Sequence, residues 1–456
     1  MEASYEDARA KEYAATNYWS CTENSSNNAW NLNFGNGNLN GNNNKYNAYR
    51  VRAVAAFGTD FERFLSSVDE AFECCMKGKT RSKQAVDYLM IAEEDIVDLA
   101  IEMWTGEYKP STSTCFLVTY PKLREVFAAH FRDRIVHHWI CLRLNPLFEE
   151  RFTRQGNVSH NCRKGFGTKT AVESACAGMD HVSCHYRKDA WVFKGDLVSF
   201  FMSIDKHILW RFLKRFIDRE YMGEYKDILV DLTRITVFHR PEIDCVFNTN
   251  IDRWEDLPES KSLLRNKPDN GGPIGNITTQ LFANFLLSYL DMYVCWIMRR
   301  SGYHYVRFVD DFLLICDDKD VLKDAIRKIK AFLLASLRLR LHKDKRYFQH
   351  VSHGVLFVGS YIKPGRIYLG NRTASKFISK VHGYERKASS CDLDLYEREH
   401  MIASINSYLG ACKGRSTYNI RKRVFGEFDH GLFKYMYVRN MNRAVLKKKY
   451  KRIVNV

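Results

Sequence analysis

The feature that most constrains this chain is a pair of adjacent aspartates inside a strand-forming run, Tyr305-Val306-Arg307-Phe308-Val309-Asp310-Asp311-Phe312-Leu313-Leu314-Ile315-Cys316. Aromatic and β-branched residues on both sides predict a hairpin over 308–315 with two carboxylates at its tip. In an arbitrary sequence an Asp-Asp pair is most often a solvated turn. Here the apolar flanks, and a third carboxylate elsewhere, reverse that expectation. Asp196 follows a second strand-like run, Trp191-Val192-Phe193-Lys194-Gly195. Three such acids are what a two-metal phosphoryl-transfer site requires, with two Mg²⁺ ions about 3.5–4 Å apart.

With 456 residues and 45% hydrophobic content the chain can bury a sizeable core in two or three globular parts, which excludes a disordered protein. Its net charge is +17, and its 70 Lys and Arg residues are spread over most of the sequence. An anionic polymer is the natural partner. Aromatics make up 14% of the chain and interleave with the cations, the combination that holds single strands by stacking beside phosphate contacts. The 13 cysteines include one adjacent pair, Cys74-Cys75, and no Cys-x-x-Cys, so neither a zinc cluster nor a disulfide framework is expected. The start lacks a basic-then-apolar leader, and the longest apolar run, 281–298, is interrupted by Asn284 and Asp291. No membrane association is expected, and the cytoplasm is the expected location.

Residues 1–57 differ from the remainder. Half the positions between Asn24 and Asn47 are Asn, a density that favours turns and predicts an irregular segment. Helical periods appear over 61–76 and 93–104, joined by the basic link Lys77-Gly78-Lys79-Thr80-Arg81. Further on, the pattern predicts a strand near Phe116-Leu117-Val118, a helix over 133–147, and a helix capped by Asp205 with Ile208, Leu209, Phe212, Leu213 and Phe216 on one face. Pro273 opens a turn feeding a long helix, 319–337 reads as a helix, and 355–369 as a hairpin turning at Pro364-Gly365. The last seventy or so residues read as helical, basic and aromatic. The sum is an α+β arrangement.

Read in order, Asp196, a glycine turn and Asp310-Asp311 resemble a reverse transcriptase over residues 60–440. The resemblance implies a right-hand polymerase fold: N-terminal helices and fingers over 58–190, a palm over 191–365 with a finger insertion around 215–265, and a basic helical thumb over 366–456. Seven blocks carry it. The first, Pro121-Lys122-Leu123-Arg124-Glu125, implies that Lys122 and Arg124 lie over the incoming triphosphate. In Asn161-Cys162-Arg163-Lys164-Gly165-Phe166-Gly167-Thr168, Arg163 beside a flexible Gly-x-Gly is expected to bind phosphate oxygens bidentately. In Gly195-Asp196-Leu197-Val198-Ser199-Phe200-Phe201, Asp196 and the Leu197 carbonyl are implied metal ligands. Phe201 holds the position of an aromatic that closes over the sugar and selects dNTPs, although an ordinary core phenylalanine is the competing reading.

Block four is the most discriminating: Gly272-Pro273-Ile274-Gly275-Asn276-Ile277-Thr278-Thr279-Gln280. Most reverse transcriptases carry Gln-Gly and Ser-Pro where this chain has Ile274-Gly275 and Thr279-Gln280. An apolar residue before the glycine and a terminal Gln resemble the reverse transcriptases of diversity-generating retroelements, which usually have Ser at the place of Thr279. Ile274 cannot donate the amide hydrogen bonds a glutamine offers, so Ile274, Gly275 and Gln280 imply looser nucleotide pairing and errors at template adenines. The fifth block is the hairpin, with Asp310 and Asp311 as metal ligands. The sixth, Leu341-His342-Lys343-Asp344-Lys345-Arg346, places Lys345 near the leaving pyrophosphate. The seventh, over 354–361, implies a primer grip at Phe357, Val358 and Gly359.

The resemblance further implies a template-repeat RNA, cDNA and RNA–DNA duplex, dNTPs and a small basic accessory protein as partners. The N-terminal segment resembles the variable region that such elements diversify, read through in frame, and is expected to contribute nothing to catalysis. A retron, group II intron-type or antiviral reverse transcriptase is the competing enzyme, disfavoured by block four. A catalytically idle RNA binder with a polymerase fold is the competing class, disfavoured by the intact set Asp196, Asp310, Asp311. No nuclease-like segment is read after the thumb.

Overall fold

The structure, a computed structural model, describes residues 58–79, 82–119, 122–299, 302–426 and 431–450, together with the backbone of four strands, Asn17–Glu23, Asn28–Asn33, Asn38–Asn44 and Arg50–Val51. Those four strands form one sheet in which the first lies between the second and the fourth. The segment expected to be irregular is therefore pleated in part, because pairing satisfies the backbone of an Asn-rich run without needing a packed helix face. The remainder of residues 1–57, Pro121 and the end of the basic run at Lys451-Arg452 lie outside the described residues.

Contacts within the chain divide it into two units, Met1–Leu147 with Asp205–Phe282, and Phe148–Ile204 with Ala283–Val456. The division differs from the expected one: the segment that folds with the N-terminal residues is 205–282, wider than 215–265. Its roots explain this. The Asp205 side chain accepts the Ile208 amide at 2.9 Å and caps the helix Lys206–Glu220, while Asp205 pairs with Asn270 and the Lys206 amide bonds the Asp269 carbonyl at 2.9 Å. The segment is closed on itself where it begins.

In the first unit the helix Gly58–Met76 buries Phe61, Phe64, Val68 and Phe72. The Phe64 ring centroid lies 5.4 Å from Trp104, 5.6 Å from Trp139 and 5.0 Å from Tyr225, an aromatic cluster tying four elements together. The basic link leads into a helix missed by periodicity, Lys83–Leu89, whose seven residues are too few to show a period. Ser113–Val118 pairs antiparallel with Arg124–Ala128 and parallel with Cys245–Phe247. Buried Glu125 accepts from Trp254 Nε1 at 2.8 Å, Ser262 Oγ at 2.8 Å and the Leu263 amide at 2.6 Å, so one carboxylate fastens the 251–263 turns to the strand. The helix expected over 133–147 runs Phe131–Arg154 straight through Pro146. Buried Ile135, Trp139, Leu144, Phe148 and Phe152 continue its apolar face past the proline and outweigh the lost amide donor.

The second unit is built on a four-stranded antiparallel sheet in the order Tyr347–His350, Trp191–Gly195, Asp311–Cys316, Tyr303–Phe308. Val192, Val306, Leu313 and Ile315 share a core with Ala171, Val172, Ala175 and Met179 of the helix Thr168–Val182. The helix Lys319–Leu337, capped by Asp318, falls where it was expected. Val355–Phe357, Ser360–Lys363 and Arg366–Leu369 form a three-stranded meander. Helices Asn371–Ser390, Leu395–Cys412 and Tyr418–Gly426 follow, but the region is not wholly helical. Met436–Arg439 pairs with Arg443–Leu446 around Asn440 and Met441, both at positive φ. Alternating buried Met436, Ala444 and Leu446 pack this hairpin on Met401, Ile405 and Leu409, a period of two hidden among basic residues. Among the described residues no helix is long and apolar enough to cross a membrane.

Buried histidines make the fold acid-sensitive. Desolvation pushes His137 down to about 3, and His138 and His160 to about 4, from an ordinary 6.5. The unfolded chain then takes up protons that the native chain refuses, so their contribution to stability is complete above pH 6.5 and is lost as pH falls toward 4. The urea midpoint should drop between pH 7 and pH 5 (roughly the window in which histidines charge), and His137→Leu should flatten that slope.

Candidate active site

The site grows from one turn. Tyr303–Phe308 and Asp311–Cys316 pair with Asp311 opposite Phe308, which leaves Val309 and Asp310 as a two-residue turn. Val309 has φ +56°, a left-handed conformation that costs a β-branched residue about 1–3 kcal/mol. Arg307 holds it there. This guanidinium, with 0% of its side chain exposed, donates Nη1 to the Val309 carbonyl at 2.9 Å. It meets Asp291, also 0% exposed, through Nε at 2.7 Å and Nη2 at 2.6 Å. Nη2 reaches Asn284 Oδ1 at 3.0 Å, and Tyr305 donates its hydroxyl to Asp291 at 2.8 Å. Asn284 in turn accepts from Ser159 Oγ at 2.7 Å and donates to the Asn161 carbonyl at 3.0 Å. Sequence reasoning missed this network. Its signal was visible as three polar interruptions of apolar runs, Asn284, Asp291 and Arg307, which need one another once buried.

The neighbouring strand brings in the third carboxylate. Gly195 pairs with Phe312, so the next step of the antiparallel register sets Asp196 beside Asp311. The Asp196 carbonyl accepts the His342 amide at 2.7 Å and the Val198 amide bonds the Arg340 carbonyl at 2.9 Å. These bonds flank the Leu197–Leu341 bridge and leave the Leu197 carbonyl out of it. Two of the three acids meet a lysine. Lys345 Nζ lies 2.8 Å from Asp196 Oδ2, and Lys194 Nζ lies 3.1 Å from Asp311 Oδ2. Asp311 Oδ1 is buried with no hydrogen-bond partner. Burial, and secondarily Asp196 and Asp310, push the Asp311 carboxyl up to about 7 against the opposing pull of Lys194.

Among the described residues no three His, Cys, Asp or Glu side chains are already gathered closely enough to grip a metal. The donors nonetheless suit a divalent cation: Asp196 and Asp310 both raise the Asp311 carboxyl, one buried oxygen is without a hydrogen bond, and two lysine ammoniums hold countercharge. Asp196, Asp310, Asp311 and the Leu197 carbonyl are the groups that would bind Mg²⁺, an oxygen-seeking ion.

The other expected residues divide. Arg163 does not reach for phosphate. It is 7% exposed, its Nε bonds Glu149 at 2.9 Å, Nη1 the Ser159 carbonyl at 2.9 Å and Nη2 Asn157 at 2.8 Å, and its guanidinium lies by the Phe152 and Phe166 rings. Three fixed acceptors, one for each guanidinium nitrogen, make it a strut for the loop before Gly165, a role its block alone could not distinguish. Phe201 is half-buried in the short helix Phe200–Ser203, with Phe200 as the core member of the pair. Phe357 is fully buried, and Val358 and Gly359, at φ +43° and +73°, form the tight turn between Phe357 and Ser360.

Lys122, Arg124, Ile274, Gly275 and Gln280 belong to the first unit. Lys122 and Arg124 are exposed at the start of the strand Arg124–Ala128. The Phe127 amide donates to the Ile274 carbonyl at 2.8 Å, and Gly275 has φ +134° with room for no side chain, since a Cβ would stand 2.6 Å from the Phe127 carbonyl oxygen. Gln280 is exposed in the first turn of the helix Ile277–Ile297.

Two substitutions test the turn. Arg307→Met strands Asp291 and should lower stability by about 3–5 kcal/mol in urea unfolding. Val309→Gly relieves the strained φ while loosening the unfolded chain, so stability should stay within about 1 kcal/mol in a thermal melt while turnover falls at least tenfold.

Residues 121–362, more than half of the chain, match the reverse transcriptase (RNA-dependent DNA polymerase) family. Protein YkfC of Escherichia coli (strain K12) is 24% identical over 320 residues, spanning 61% of this chain and 75% of that protein. Among solved structures, telomerase from Candida albicans in complex with a TWJ fragment of telomeric RNA aligns with TM-score 0.42 and 12% identity over 70% of this chain. Apo telomerase from Candida tropicalis aligns with TM-score 0.45 and 13% identity over 69% of it. The chain spans 63% and 55% of those telomerase chains. With its acidic hairpin lying inside the matched residues, the chain belongs to the reverse transcriptase family of RNA-dependent DNA polymerases and has that family's right-hand polymerase fold.

Proposed function

We propose that this chain copies a template-repeat RNA into cDNA with errors at adenines, as the polymerase of a diversity-generating retroelement. The observation that carries the reading is the turn Ile274-Gly275. Its backbone is fixed by the bond from the Phe127 amide, and an apolar side chain stands where a glutamine would offer amide hydrogen bonds. A rigid turn with no polar tip holds base pairing less tightly.

In this reading residues 58–190 supply the N-terminal helices and fingers, 191–365 the palm around Asp196, Asp310 and Asp311 with a finger insertion around 215–265, and 366–456 the thumb. Lys122 and Arg124 meet the triphosphate, Phe201 limits room for a 2′-hydroxyl, and Phe357, Val358 and Gly359 steady the primer. Lys345, 57% exposed, is free enough to leave Asp196 and follow the departing pyrophosphate. Bound Mg²⁺ ions would lower the pKa of the primer 3′-hydroxyl and neutralise phosphate charge, so no side chain need act as a base.

The charge of +17 suits RNA and RNA–DNA duplex as partners. On the helix Lys206–Glu220, Arg211, Lys214, Arg215 and Arg219 share an open face with Trp210 and Asp218; Lys214 and Arg219 are paired with Asp218 and Glu220, and the surplus positive charge suits a phosphate backbone. A small basic accessory protein and a cytoplasmic location complete the reading.

Primer extension on RNA with Mg²⁺ and dNTPs, followed by sequencing, tests it. Misincorporation should concentrate opposite adenines, Ile274→Gln should reduce those errors several-fold, and Asp310→Ala should abolish extension. Faithful copying by the parent would favour a retron, group II intron-type or antiviral enzyme, and absence of extension an idle binder.

A further inference from the structure

Lys194 touches the acidic cluster from a half-buried position, and the two oxygens of its partner have different fates. Its side chain is 13% exposed, against 57% for Lys345. Nζ lies 3.1 Å from Asp311 Oδ2 and donates to the Leu356 carbonyl at 2.9 Å. The ammonium also stands 6.0 Å from the centroid of the Tyr347 ring, whose residue pairs with Lys194 across the sheet. Asp311 Oδ1 has no partner although it is buried. A buried carboxylate oxygen without a hydrogen bond is costly, and a bound ion is one of the few things that satisfy such an atom.

We infer that Lys194 is a positioning residue that sorts the two oxygens of Asp311: it occupies Oδ2 and presents Oδ1 alone to a divalent cation. The inference rests on the reading of Asp196, Asp310 and Asp311 as metal ligands. A carboxylate free to rotate offers either oxygen or both, whereas one pinned at Oδ2 offers a single ligand in a fixed direction. The pin is anchored on the strand Val355–Phe357, which leads into the turn at Val358 and Gly359, so ligand direction is tied to the backbone proposed to steady the primer. Lys345 has a different part. It is mostly exposed and, unlike Lys194 with its bond to the Leu356 carbonyl, is held by Asp196 alone among the described residues, so it serves as a countercharge that a cation displaces.

The two roles predict opposite signs in one measurement. Removing a countercharge tightens cation binding, because a repulsive ammonium is gone. Removing a positioning group loosens it, because the ligand is no longer aimed. Mn²⁺ is titrated into metal-free full-length protein and free Mn²⁺ is followed by its electron paramagnetic resonance signal. Lys194→Met, which keeps most of the stem, should weaken Mn²⁺ binding about tenfold or more, and Lys194→Arg should recover most of the loss. Lys345→Met should tighten it several-fold. In single-nucleotide extension Lys194→Met should lower kcat with little change in KM for dNTP. Unchanged or tighter Mn²⁺ binding by Lys194→Met, in protein whose circular dichroism matches the parent, overturns the inference. Failure of the parent itself to bind Mn²⁺ would instead count against the metal-site reading on which it stands.

Discussion

The buried ion pair between Arg307 and Asp291 is the interaction on which the site depends. A guanidinium and a carboxylate removed from water cost several kcal/mol each in lost hydration, and only a bidentate geometry with every donor used can offset that. Here every group is engaged: Asp291 takes two guanidinium nitrogens and the Tyr305 hydroxyl, while Arg307 also takes Asn284 and the Val309 carbonyl. The last of these bonds turns a stabilising pair into a functional one. It holds a β-branched residue at positive φ and thereby fixes where Asp310 and Asp311 leave the strand.

Strain and charge are concentrated in the same few residues. Val309 and Val358, each at positive φ, sit in the two tight turns of the second unit to which the site reading assigns chemistry, at the acidic hairpin and at the proposed primer grip. Three carboxylates that would repel one another are held by burial and by two lysines of unlike character, one half-buried and doubly anchored, the other exposed. Such a cluster is uncomfortable without added positive charge, which is the electrostatic ground for the proposal that it receives a cation.

Much of the fold was legible because the elements that carry it obey simple periods. The Lys319–Leu337 helix, the Asp205 cap and the strands on either side of Asp310 follow from apolar spacing and capping chemistry. The helix Lys83–Leu89 and the Met436–Leu446 hairpin were not, one too short to show a period and the other masked by basic residues. The helix Phe131–Arg154 runs seven residues beyond the expected end at Leu147, since burial of Phe148 and Phe152 continues its apolar face.

By itself the sequence determined the family, the α+β class and the three acids, because ordered blocks of residue types survive as a linear pattern. Only the tertiary structure decided which side chains are partners. Arg163, written beside glycines as though for phosphate, is consumed by Glu149, Asn157 and a backbone carbonyl. Arg307, unremarkable in a list of 70 cations, proves to be the clamp of the acidic turn. Lys194 reaches Asp311 only because strand register brings it there. The reason is physical: a charged side chain's role is set by what remains after burial removes water, and burial is a property of the folded chain.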